Sequence, residues 1–274
     1  MPPSRPNLVF IMTDHQRADS LGMVQAGLEV TPNLNRLAAR RTLFTRAYST
    51  CPLCVPARTA LATGLYPTRN GVTTNDWQGT TAGDHPTLHE LLHRQGYDVA
   101  HIGVHHIRVR PGLDTRLPFA AWEGESHYAA FLRGRLPAES PAESAPFKRL
   151  VRENQNGRPT DARYSSVQTG VWPGPADAFK DLYWSGRAAA FAAQPRAKPF
   201  ALFLYLWAPH PPLRVPEPYA SLFPPDRLDL PPNVGRPAEG EPSAYRSGVP
   251  AQLAEGVTHE DWRKVWAAHL GLVR

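Results

Sequence analysis

Cysteine is scarce: Cys51 and Cys54 are the only two among 274 residues. So few exclude a small secreted scaffold held by disulfides, and no second pair exists to complete a four-cysteine zinc site. Long apolar runs are lacking too. The N-terminal run from Leu8 to Met12 is too short for the core of a signal peptide and far too short to span a bilayer. The expectation is a cytoplasmic protein with no membrane partner. Runs of like charge are also missing. Formal net charge is +6 and the pI is near 9.5, but the basic residues are scattered and most are arginine. That is not the clustered basic patch of a nucleic-acid binder, and no nucleic-acid partner is expected. An electropositive pocket for an anionic substrate and a solvated arginine-rich surface both account for the sign.

What is present is enough apolar residue, 42% of the chain, for one large α/β domain or two small ones. Asn7 to Met12 is a continuous apolar run that predicts a buried parallel strand. Asp14 and His15 follow at its C-terminal end, where open α/β sheets place their ligands. They offer a hard oxygen and an imidazole, both usable by a divalent cation. Thr31-Pro32 opens a helix whose apolar stripe begins with Leu34 and Leu37. Leu43 to Tyr48 predicts a further strand. Pro86 to Tyr97 is an amphipathic helix with a glycine stop, Asp98 to Gly103 a strand leading to Val104-His105-His106, and Ala176 to Ala193 a helix. Phe200 to Trp207 is the strongest strand of the second half and ends at Pro209-His210. Residues 212 to 256 predict extended, proline-rich loop, and a last helix starts at His259.

Ser49 to Gly64 concentrates the chemistry. A proline-broken segment gives way to a helix from Val55 to Ala62, closed by Gly64. Cys54 stands at its N-terminus, where unpaired N–H groups and the dipole favour negative charge. Arg58 is one turn further on the same face. A nucleophile, a cation and a helix N-terminus converge, which suits a sulfate or phosphate ester. An inert buried thiol, or a Cys51–Cys54 redox or zinc pair, are the alternatives.

Cys54-Val55-Pro56-Ala57-Arg58, followed by Thr63-Gly64 and Gly64-Leu65-Tyr66-Pro67, resembles the signature of the type I sulfatases of the alkaline-phosphatase-like superfamily. The resemblance implies an α/β fold with a largely parallel sheet flanked by helices. It also implies conversion of Cys54 to formylglycine by a separate formylglycine-generating enzyme. Asp14 matches the first metal-binding aspartate, for a divalent cation, Ca2+ by the resemblance. His15 occupies the next metal position, where sulfatases usually carry Asp and phosphonate or phosphate ester hydrolases often carry Gln. His106 matches the histidine of G-K-x-H, with Val104 in place of the lysine, and His210 the histidine of P-H-x-P. Asn75 matches a polar substrate contact of phosphonate monoester hydrolases. The implied function is hydrolysis of a small-molecule sulfate ester, with Cys54, Arg58, His106 and His210 catalytic. The alternatives are a phosphate or phosphonate monoester hydrolase and an inactive truncated fragment.

His89-Glu90-Leu91-Leu92-His93 spells H-E-x-x-H, but the segment around it resembles a surface-facing scaffold helix of the same family, and no zinc-protease site is expected. Residues 1–274 resemble the N-terminal part of one catalytic domain, with a core at 7–110 and 196–274 and a loop-rich elaboration at about 111–195. A longer member would carry a D-H-G or D-N-G motif and a lysine beyond this point, so weak metal binding and slow turnover are expected of the 274 residues alone.

Overall fold

The computed structural model describes residues 5–76, 79–136, 139–155, 158–236 and 240–274. They form two compact units, the first from the described residues of 5–14, 42–133 and 180–207, the second from those of 15–41, 134–179 and 208–274. No helix among the described residues is long and apolar enough to cross a membrane.

The first unit is built on a four-stranded sheet in the order Leu8–Met12, Phe200–Tyr205, Asp98–Gly103, Ala121–Glu123. All three pairings are parallel. Every residue of Phe200–Tyr205 is buried, as an unbroken apolar run requires when both faces of a sheet are covered. The period of two sorts its side chains. Phe200 meets Phe191 of the helix Lys180–Ala193, ring to ring at 5.6 Å. Phe203, on the opposite face, stacks on His89 of the helix Leu88–Arg94 at 3.9 Å, and Tyr205 lies under Arg58. Gly103 ends its strand at φ +109°, and a Cβ there would sit 1.9 Å from the Tyr205 carbonyl oxygen. Only glycine lets the two strand ends approach this closely.

The second unit holds an antiparallel hairpin, Lys148–Gln155 with Arg158–Ser165, and a short parallel pair, Thr169–Val171 with Leu213–Val215. Its main core forms where Trp266, Ala267 and Leu270 of the helix His259–Val273 pack with Val30, Phe223 and Leu228. Thr258 and Asp261 close a capping box at that helix's start.

Several expectations change. Leu8–Met12 is a strand, but an edge strand, and Leu8, Val9, Phe10 and Ile11 are exposed. Leu43 to Tyr48 forms no strand; Leu43, Phe44 and Tyr48 are exposed and unpaired with any sheet. The stripe on Pro32–Ala38 is likewise exposed at Leu34 and Leu37. Residues 212–256 are not all loop: they include the strand Leu213–Val215 and the short helices Ser243–Ser247 and Val249–Ala254.

His89 points inward rather than to the surface and is fully buried. His101 Nε2 lies 3.2 Å from the Val104 carbonyl and its Nδ1 lies 3.3 Å from His89 Nε2. A carbonyl only accepts, so His101 carries its proton on Nε2 and accepts from His89 Nε2–H. With both rings neutral, each shared hydrogen bond has one donor and one acceptor. Glu90 is equally occupied: it caps the helix through Thr87 and pairs with Arg116 at 3.1 Å. His89 and Glu90 are thus structural. Burial is the largest cause pushing His89 down to about 3, His105 down to about 4, and His101 well below the ordinary value.

These depressed values fix a pH dependence. Below the unfolded histidine value, about 6.5, the unfolded chain binds protons that the folded chain refuses, so stability falls as pH falls. The loss is on the order of 1 kcal/mol per pH unit for each such histidine. Thermal melts should show the melting temperature dropping from pH 6.5 toward pH 5, above the range in which carboxylates titrate, and His89→Phe should flatten the slope. A melting temperature constant across that window would contradict the neutral histidine chain.

Candidate active site

The motif helix runs from Cys54 to Thr63. Pro56 falls in its first turn, where the missing N–H costs nothing. Gly64 caps it at φ 69°, with its N–H donated to the Ala60 carbonyl. The N-cap, Leu53, has no side-chain hydrogen bond to offer. Asn75 takes that role from 20 residues away: its Oδ1 accepts from the Val55 N–H at 3.1 Å. Asn75 is therefore held against the first turn, next to Cys54.

Asp14 lies at the tip of the edge strand and joins the nucleophile to the cation. Its Oδ1 is 3.7 Å from Cys54 Sγ, and its Oδ2 accepts from Arg58 Nη2 at 3.1 Å. Both charged side chains are almost wholly buried, at 2% and 8% exposure. The guanidinium also stands over the Tyr205 ring, 5.0 Å from its centre, a cation–π contact. Its Nη1 is buried and has no partner among the described residues. A buried N–H left open is costly, and an anionic oxygen would satisfy it.

The thiol of Cys54 is pushed up from its ordinary value, by burial first and the Asp14 charge second, with Arg58 opposing. Redox and nucleophilic cysteines are shifted the other way. Both cysteines are free thiols. At neutral pH Cys54 is a protonated, poorly nucleophilic thiol, which does not suit a redox pair.

His106 follows the Gly103 approach in a left-handed conformation, φ 46°, a strained state for a non-glycine residue and one that concentrates at functional sites. It is pushed down to about 4, by burial first and then Arg58, with Glu125 and Asp14 opposing, so it is neutral at pH 7. Its ring meets Trp207 edge-on at 6.4 Å. Trp207 is fixed by its backbone N–H, donated to Asp181 Oδ1 at 2.6 Å, and by Lys180 Nζ, 4.7 Å from its ring. Val104 is fully buried with its N–H on the Tyr205 carbonyl, so no cation enters from that position.

His15 and His210 belong to the second unit. Their rings are 4.3 Å apart, and His15 too is left-handed, φ 59°. His210 Nδ1–H donates to the Pro211 carbonyl. Within the first unit the structure thus brings Asp14, Cys54, Arg58 and Asn75 into contact and couples His106 to them electrostatically. It adds Tyr205, Trp207 and Lys180, which sequence reasoning missed. The alternation of Phe203 and Tyr205 on one face of a buried strand was the signal for Tyr205; nothing local marked Lys180. Asp14 supplies the hard oxygens that a calcium ion takes, and its chemistry fits one ligand among the roughly six to eight needed.

Residues 6–229 match the profile of the family described as Sulfatase, and the chain belongs to the sulfatase family. It is 27% identical to the N-acetylglucosamine-6-O-sulfatase of Bacteroides thetaiotaomicron over 209 residues, 68% of this chain and 37% of that one. With the N-acetylgalactosamine-6-sulfatase of Rattus norvegicus it shares 38% identity over 120 residues, 40% of this chain and 23% of that one. The phosphonate monoester hydrolases of Agrobacterium radiobacter and Silicibacter pomeroyi share its fold, with TM-scores of 0.65 and 0.68 at 23% and 24% identity. In each case 98% of this chain covers 56% of the other. The chain thus spans little more than half of these structures, and less of the sulfatases it matches.

Replacing Asp14 tests the electrostatics directly. In a Cys51→Ser background, Asp14→Asn removes the carboxylate charge and releases the Arg58 charge, and both changes lower the Cys54 value. Alkylation by iodoacetamide at pH 8 should accelerate by about three- to ten-fold. An unchanged or slower rate would mean that Asp14 does not act on this thiol.

Proposed function

We propose that this chain hydrolyses sulfate esters at the N-terminus of the motif helix. The observation that carries the reading is the buried Asp14–Arg58 pair at Cys54, with Arg58 Nη1 lacking a partner among the described residues. Arg58 is held by Asp14 and Tyr205 before any ligand arrives, which is the preorganisation that stabilises developing negative charge. Asp14 fixes the guanidinium and accepts from the group at position 54. Neutral His106 is able to take up or hand on a proton. Asn75, held at the first turn through Val55, keeps its amide beside Cys54 as a substrate contact.

A protonated thiol is a poor nucleophile, and conversion of Cys54 to formylglycine would replace its sulfur with a hydrated aldehyde oxygen. The conversion needs a formylglycine-generating enzyme as partner. A divalent cation, Ca2+ by the resemblance, would supply charge to polarise the ester, with Asp14 as a ligand. The metal role of His15 and the ester-orienting role of His210 rest on their positions in the sequence.

The charge supports a monoanionic ester. The cation placed beside Cys54 is Arg58, and Val104 adds none. A sulfate monoester carries one negative charge and a phosphate monoester nearly two. A phosphonate monoester is also a monoanion and remains the second reading. After co-expression with a formylglycine-generating enzyme, the chain should turn over 4-nitrophenyl sulfate, even if slowly, at least ten-fold faster than 4-nitrophenyl phenylphosphonate. Cys54→Ala should abolish turnover. Activity surviving Cys54→Ala, or a preference for the phosphonate, would contradict the proposal.

A further inference from the structure

His101 lies inside the first unit, 1% exposed, and the hydrolase reading gives it no role. Its contacts nonetheless converge on the segment that carries His106. Val104 is held on both sides: its N–H donates to the Tyr205 carbonyl at 2.8 Å, and its carbonyl accepts from His101 Nε2–H at 3.2 Å. The His105 ring stands edge-on to His101 at 5.6 Å and edge-on to Trp122 at 4.8 Å, and Trp122 itself lies 5.0 Å from His101. Both residues before His106 are thus braced against one imidazole.

His106 needs such bracing. Its left-handed backbone, φ 46°, persists in a non-glycine residue only where the surroundings over-determine it. The strand ends at Gly103, so the ladder does not supply that constraint. His101 can, because it is itself fixed. Its backbone pairs with Trp122 on one side and Phe203 on the other, and its Nδ1 accepts from His89. A buried apolar residue would suit this strand position as well, but it would leave the Val104 carbonyl without this donor. The same ring meets Tyr205 edge-on at 4.9 Å, the residue whose ring lies under Arg58.

We propose that His101 is a positioning residue of the site: through the Val104 carbonyl it holds residues 104–106 in the turn that sets His106 in place. It acts through that backbone and not on the ester. The inference rests on the hydrolase reading for what His106 does, and on the contacts of His101 for where His106 is held.

The test is diethylpyrocarbonate modification of the full chain at pH 7, read peptide by peptide, with tandem fragmentation separating His105 from half-buried His106 and exposed His259 as the internal reference. His101→Phe keeps a ring against Trp122 and Tyr205 and removes the donor, so His106 should acylate about ten-fold faster while His259 is unchanged. His101→Gln carries an amide N–H toward the Nε2 position and should restore the rate to within about three-fold of the unsubstituted chain. If His101→Phe does not fold, His101→Asn replaces it; the shorter amide keeps a polar partner for His89 and falls short of Val104. With position 54 converted, kcat for 4-nitrophenyl sulfate should drop about ten-fold in the donor-less variant at a KM within about two-fold, and recover in His101→Gln. An unsubstituted chain without turnover would count against the hydrolase reading alone, and the acylation rates would still decide the positioning. A lowered melting temperature with His106 as protected as before, or His106 as reactive in His101→Gln as in His101→Phe, would overturn the proposal.

Discussion

The ion pair between Asp14 and Arg58 is the constraint on which the site depends. Two charges sit almost entirely out of water, 3.1 Å apart. Such a pair does not stabilise a fold cheaply, and removing one partner typically costs about 3–5 kcal/mol. Its geometry is set by strand register. Met12 pairs with Tyr205 across the parallel ladder, which puts Asp14 just beyond the sheet and the Tyr205 ring beneath Arg58. Gly103 lets the neighbouring strand end against the Tyr205 carbonyl, and that contact starts the segment carrying His106. The sequence of a buried strand thus reaches the chemistry through register rather than through any residue touching a ligand.

The electrostatic character of the site follows from the same burial. Cys54 is kept as a thiol, and His106 is kept neutral. Neither condition suits sulfur as a nucleophile. Both suit a neutral oxygen nucleophile next to a fixed cation, with an imidazole ready to accept a proton. Membership of the sulfatase family, shown across residues 6–229, and this local chemistry agree without either being needed to infer the other.

Much of this was legible in the sequence because the signals were local. Pro56 and Gly64 bracket the motif helix, and the unbroken apolar run of Phe200–Tyr205 marks a doubly covered strand. Leu8–Met12 carries an equally apolar run but lies at the sheet edge with its side chains exposed, and composition does not distinguish the two. The hairpin Lys148–Gln155 and Arg158–Ser165 was hidden in the stretch read as loop-rich, because its side chains are largely charged or polar. Asn75 capping Val55, and Tyr205 supporting Arg58, join residues far apart in sequence, and no local pattern encodes such contacts. The inward turn of His89 departs from the surface-facing helix that the resemblance implied.

The account stands or falls on the chemical identity of residue 54. The chain, co-expressed with a formylglycine-generating enzyme and digested, gives a peptide that contains both Cys51 and Cys54, and tandem mass spectrometry locates any change within it. The account predicts an aldehyde residue at position 54 and an unmodified thiol at position 51. A thiol retained at 54, an aldehyde at 51 alone, or a disulfide between the two would contradict it.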